Sequence, residues 1–150
     1  MKRFVLRIAL LGVTLCTAGH GQQPATPSPA DVQLHNQVIR QAVETAAPVK
    51  ARVEQFFLHQ KAFPASNSEA GMNLPQTYRT YDVQAITIGP NGVIDIVLTA
   101  SSGVDGGIIR LTPAASKTSS PPSVEWSCRS PSYSTIADAT GGTCEYTNQP

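Results

Sequence analysis

The chain predicts an α+β fold: a long N-terminal helix packed on a four-stranded antiparallel sheet, with a disulfide-closed C-terminal loop. Three observations predict it. Apolar residues recur at helical spacing from Val32 to Phe57. After Tyr81 the period shortens to two, and the strand-like runs follow one another after the helix, the order of an α+β domain. Beyond the first 21 residues the cysteines are Cys128 and Cys144, and an even pair in an exported chain reads as one disulfide.

Residues 1–21 read as a secretory signal peptide. Lys2, Arg3 and Arg7 open it, the apolar run Ile8–Leu15 follows, and small residues close it. Cleavage after Ala18, Gly19 or Gly21 would leave a small side chain at the scissile position. The run is shorter than the ~20 apolar residues that span a bilayer, so no stable membrane span is expected after cleavage. Lipidation of Cys16 is the rival reading, and the bulky Leu15 before it argues against that anchor. The leader takes 3 of the 11 Lys+Arg, leaving 8 against 10 Asp+Glu, a charge near −2. No basic stripe survives, so nucleic-acid binding has no electrostatic support. The expected location is the periplasm or the outside of a bacterial cell.

Residues 22–31, with Gln22–Ala30 reading QQPATPSPA, are a Pro-rich flexible linker. The folded domain is expected over 32–150. Asp31 suits an N-cap. The helix, 32–60, would be roughly 43 Å long at about 1.5 Å per residue. Its apolar face uses Ile39, Val43, Ala46, Val49 and Val53, and Phe56 and Phe57 cannot both face a sheet. Pro48 removes a backbone donor and crowds the Glu44 carbonyl, predicting a kink rather than two separate helices. Phe63-Pro64 stops the helix, because a residue before proline avoids the helical region.

Residues 64–80 are loop. Segments 81–88 and 93–99 form a hairpin about Gly89-Pro90-Asn91-Gly92, with Tyr81, Val83 and Ala85 alternating against Asp82, Gln84 and Ile86. A glycine-rich connection, 101–107, precedes a third strand, 108–112, stopped by Pro113. A fourth strand runs 123–128, and 129–143 is a closing loop. Trp126 is expected to pack between sheet and helix.

Two sets of residues resemble the type IV pilin family. Lys50, Val53 and Glu54 match its helix core, and Phe63, Pro64, Asn67, Ala70 and Gly71 match the loop that ends that helix. Gly107-Ile108-Ile109-Arg110-Leu111-Thr112-Pro113 and Val124-Glu125-Trp126-Ser127-Cys128 match its C-terminal motifs, and Cys144 closes its final loop. The likeness covers about residues 38–146. It implies a pilin headgroup and a structural or adhesive subunit whose partners are pilus components or a cell-surface receptor. The front departs from the family: neither Gly12 nor Gly19 is followed by Phe-Thr-Leu-Ile-Glu, so the chain is expected not to form a standard filament. A soluble periplasmic binding or regulatory protein on the same head is the alternative.

The residues predict no enzyme, no cofactor and no metal. His35 and His59 lie 24 positions apart on one helix, too far to share an ion. Asp95 reads as an outward strand residue and Asp105 as a turn residue, and Gly103–Gly107 lacks the Lys/Ser ending of a phosphate loop. Between Cys128 and Cys144 lie 15 residues, and closing that loop is worth roughly 3 kcal/mol. Tyr133 and Ile136 are its larger side chains. Two readings stand for it: a staple without a binding role, or a surface recognition loop with Tyr133 and Ile136 as candidate contact residues.

Overall fold

The computed structural model describes residues 26–116 and 122–148. Two helical segments open it, α1 (Pro29–Thr45) and α2 (Ala47–Gln60). Ser28, not Asp31, is the N-cap of α1. Asp31 sits at the third helical position and completes a capping box, taking the Ser28 N–H at 3.0 Å while its own N–H reaches Ser28 Oγ at 3.2 Å. The Ser28 hydroxyl, donating to the Asp31 carboxylate at 2.7 Å, and then the Ser28 N–H hold that carboxyl below its ordinary pKa. The helix therefore begins inside the segment expected to be linker, because Pro29 supplies a first-turn residue that needs no N–H partner.

The interruption falls at Ala46, two residues before Pro48, where the proline ring crowds the preceding turn. Ala46 bonds back to Val43 O at 3.2 Å, and Lys50 N–H to Ala46 O at 2.9 Å resumes the ladder. Helix α2 ends on Lys61 in the left-handed region, its N–H on Phe57 O.

The sheet has five strands in the order β1 (Val83–Ile88), β2 (Ile94–Leu98), β3 (Ile108–Ala115), β4 (Val124–Ser130) and β5 (Cys144–Tyr146). The first four are antiparallel, and β5 runs parallel to β4. The α+β helix-on-sheet architecture with its disulfide-closed loop stands, with one strand more than predicted. Ile39, Ala42, Val49 and Val53 of the helices pack on Ile86, Ile94, Ile96, Ile109 and Leu111 of the sheet. Each fully buried aliphatic side chain of this kind contributes roughly 1.5–3 kcal/mol.

Two details differ from the sequence reading. Val83 and Ile86 were expected on opposite faces, and both are buried. A bulge between Val83 and Ala85 adds one residue and flips the parity of β1. Pro113 was expected to end β3, yet the strand continues to Ala115. Gly107 O accepts from β2, whereas Ile108 bonds Ser130 and Ser132 on the β4 side. By alternation Pro113 points toward β2, whose pairing has already stopped at Ile94–Leu111, so no ladder bond is lost.

Neither Phe56 nor Phe57 is fully buried; Phe57 stacks on Phe63 with ring centroids 4.6 Å apart. Among the described residues no helix is long and apolar enough to cross a membrane.

Candidate functional site

Lys50, Val53 and Glu54 act together. Val53 enters the core, while Lys50 and Glu54, one turn apart, bracket Trp126 of β4. Trp126 Nε1–H donates to Glu54 Oε1 at 2.7 Å, and Lys50 Nζ stands 5.2 Å from the indole centroid. Trp126 thus borders the core between sheet and helix, half-buried, with its polar edge satisfied.

The loop after α2 is a brace. Pro64 O accepts from Gly92 N–H at 2.8 Å. Gly92 has φ +72°, and a Cβ there would meet Val53, Phe63 and Pro113 at 3.0–3.1 Å, so helix, loop and sheet converge on this glycine. Asn67 is buried. Its Nδ2 donates to Ile86 O and Asn73 O, each at 3.1 Å, and its Oδ1 accepts from Ile88 N–H at 2.6 Å. One side-chain amide therefore takes the place of a neighbouring strand along the outer edge of β1.

At the other edge Cys128 and Cys144 are registered across β4 and β5 and joined, with Cα atoms 4.5 Å apart. The segment between them is ordered. Ser130, buried, donates to Ile108 O and accepts from the N–H groups of Ser132 and Tyr133. Tyr133 then turns inward, its hydroxyl 2.7 Å from Ser102 Oγ. A Cβ on Gly107 would lie 2.1 Å from that hydroxyl oxygen, so only glycine leaves room for the ring. Burial pushes the Tyr133 phenol above its ordinary pKa, the Ser102 bond offsets part of this, and nearby Asp105 adds to it. Helix α3 (Ile136–Thr140) buries Ile136 and Ala139, and Thr135 Oγ1 donates to Asn36 Oδ1 of α1 at 3.2 Å.

This placement corrects the sequence reading of Tyr133 and Ile136. At 4 % and 0 % exposure they face the core and anchor the segment from below, Tyr133 against Ser102 and Gly107, and neither is presented at the surface. Beyond Arg129, which pairs with Glu145, the exposed surface of the segment is Ser134, Thr135, Ala137, Asp138 and Gly141–Thr143, made of small side chains with Asp138 their one charge. Sequence reasoning missed Ser130 and Ser102, buried polar residues on which the loop turns. Ser130 had a faint signal, since it continues the inward alternation of Trp126 and Cys128.

The remaining candidates are dispersed. Asp95 faces outward and holds Arg110 through two bonds, 2.7 and 2.9 Å, which raises the guanidinium pKa. Asp105 sits in a turn and accepts from Gln84 at 2.7 Å. His35 lies near the start of α1 and His59 near the end of α2. Among the described residues, no three His, Cys, Asp or Glu side chains are grouped to hold a metal ion. The leader expectation, with Cys16, lies outside the described residues.

A kinked helix on an antiparallel sheet, braced by Asn67 and closed by a disulfide-tied C-terminal segment, defines a filament-subunit headgroup. The pilin family model, that of bacterial filament proteins, matches residues 37–144, and the chain belongs to this family. No curated protein matches it. The family is structural and non-enzymatic, and its members are exported to the periplasm or cell surface.

Proposed function

We propose that this protein is an exported bacterial structural subunit associated with type IV pili or cell adhesion, acting through the surface of its head and not through bond-making chemistry. Membership of the pilin family over residues 37–144 carries the reading. The leader-like pattern at 1–21 supports export, and an oxidised cysteine pair suits the periplasm or the outside of the cell. The disulfide-tied segment supports a recognition role. Its floor is packed by Tyr133 and Ile136, so Ser134, Thr135 and Asp138 are presented on a rigid base. A preformed surface loses little ordering entropy when a partner binds. The partners on this reading are other pilus components or a receptor on a cell surface.

Fractionation tests it. The processed chain, with an N-terminus near Gln22, is expected in sheared pilus fractions. Recovery solely as free periplasmic protein, from cells whose pili lack it, overturns the reading and leaves a soluble binding role.

A further inference from the structure

The asparagines of the sequence are Asn36, Asn67, Asn73, Asn91 and Asn148, and of these Asn91 alone is followed by glycine. A glycine has no side chain to screen its own nitrogen, so the Gly92 amide can approach the side-chain carbonyl carbon of the residue before it. Asn91 stands exposed in the turn between β1 and β2, its amide without a partner among the described residues. Neither the packing of the head nor its surface role draws on the chemistry of this pair.

The fold holds the two reacting atoms apart. Attack of the Gly92 nitrogen on Asn91 Cγ closes a five-membered ring, and that ring needs the nitrogen eclipsed with Asn91 Cβ. Asn91 has φ 59° and ψ 26°, which turns the nitrogen to nearly the opposite side of the Cα–C bond. Gly89 N–H on Val93 O at 2.8 Å fixes the turn in this shape. The nitrogen is also committed elsewhere, since Gly92 N–H donates to Pro64 O at 2.8 Å. Gly92 is buried against Val53, Phe63 and Pro113, so a base has no access to its proton while the loop after α2 is seated. An exposed electrophile thus sits beside a buried nucleophile, and the brace is what keeps them from reacting.

We propose that Asn91-Gly92 is a deamidation site guarded by the Phe63-Pro64 loop, so that it records openings of that loop irreversibly. Once the Pro64 bond breaks, the Gly92 nitrogen bonds to Asn91 Cγ, its proton passes through water to Nδ2, the Cγ–Nδ2 bond breaks and ammonia leaves. Water then opens the ring. Attack at Cγ gives aspartate; attack at the Asn91 backbone carbonyl carbon gives isoaspartate, whose main chain runs through Cγ. Nothing is oxidised or reduced, and water is the one co-reactant. Isoaspartate lengthens the backbone by a methylene and leaves a carboxylate on the turn, so Gly92 no longer meets Pro64 in register. One opening therefore loosens for good the point where helix, loop and sheet converge. This goes beyond the pilus-subunit reading and does not depend on it.

The test incubates the purified exported chain in mildly alkaline buffer, folded and in urea, and weighs the tryptic peptide 80–110, which ends at Arg110 and holds Asn91 as its one asparagine. The mass gain of an amide turned acid is expected in urea and at least about tenfold more slowly in the folded chain, since only opened molecules react. Labelling by an isoaspartyl methyltransferase reports the isoaspartate share, and Asn91→Ser abolishes both signals. Pro64→Gly keeps the accepting carbonyl but frees its backbone. It is expected to speed deamidation and hydrogen exchange at the Gly92 amide together, each by about tenfold. Should that variant not fold, low urea added to the wild type replaces it, because urea favours the same opening and must move both rates in step. A folded chain that deamidates as fast as the unfolded one, an unfolded chain that stays unmodified at Asn91, or Gly92 exchange that rises without deamidation overturns the proposal.

Discussion

Asn67→Ala removes the brace on the β1 edge. Three hydrogen bonds disappear, to Ile86 O, Asn73 O and Ile88 N–H. Asn73 is exposed, so water replaces its lost donor at little cost. The Ile86 carbonyl and Ile88 amide lie beneath the loop in buried contacts. Leaving each without a partner costs about 1–3 kcal/mol. The expected loss is therefore about 3 kcal/mol. With a urea slope of about 2 kcal/mol/M, the unfolding midpoint falls by about 1.5 M while the slope itself is unchanged. Hydrogen exchange gives the local check, since the Ile88 amide should exchange faster even where the rest of the sheet stays protected. Asn67→Asp serves as the companion. It keeps an acceptor for Ile88 but sets an anion against two carbonyl oxygens. It should be worse than alanine at neutral pH and recover as acid protonates the carboxyl, which can then donate. A loss below about 1 kcal/mol, with Ile88 no more exposed to exchange than its neighbours, would refute the idea that one side chain stands in for a strand.

Three further outcomes follow from the same geometry. Replacing Cys128 and Cys144 by serine should cost roughly 3 kcal/mol and open the segment between them to proteases at Ser134–Thr143, while the hairpin β1–β2 stays protected; uniform loss of protection would show that the segment is not a separable unit. Tyr133→Phe should cost about 1 kcal/mol at neutral pH through the lost Ser102 bond. Because the folded phenol keeps its proton above the unfolded value of about 10, stability in the wild type is intact below that pH and is lost as pH rises toward the raised folded value. The phenylalanine variant should show a flatter alkaline limb, and an identical limb would exclude Tyr133 as its source. Glu54→Ala should cost about 1 kcal/mol and shift the emission of Trp126, the single tryptophan, to longer wavelength as its N–H turns to water. Unchanged emission would mean the Glu54 contact does not hold the ring.

The boundary between what was legible in the sequence and what was not follows the reach of each signal. Periodicity marked the inward helical residues Ile39, Ala46, Val49 and Val53, because neighbours three and four apart share a face whatever lies opposite. Strand period and turn chemistry marked β1 and β2, and the paired cysteines marked the bond between them. Family likeness flagged Lys50, Glu54 and Asn67 without saying what they do. Their tasks emerge only when Trp126 arrives from 72 positions away and Ile86 and Ile88 from 19 and 21.

The errors have the same origin. Strand β5 is three residues long and parallel to its neighbour, so it carries no alternation of its own, and only register with Cys128 makes it a strand. The recognition-loop reading, one of the two left open, set Tyr133 and Ile136 at the surface because their neighbours are small and polar. The space that receives the tyrosine is made by Gly107 and Ser102, on a different part of the chain. Local composition and periodicity determined the elements, the core face of the helix and the covalent tie, since those depend on residues near one another in the chain. Which side chains lie inside the tied segment and which amide seals the sheet edge were decided by the tertiary structure, because each depends on partners that meet only after the chain has closed on itself.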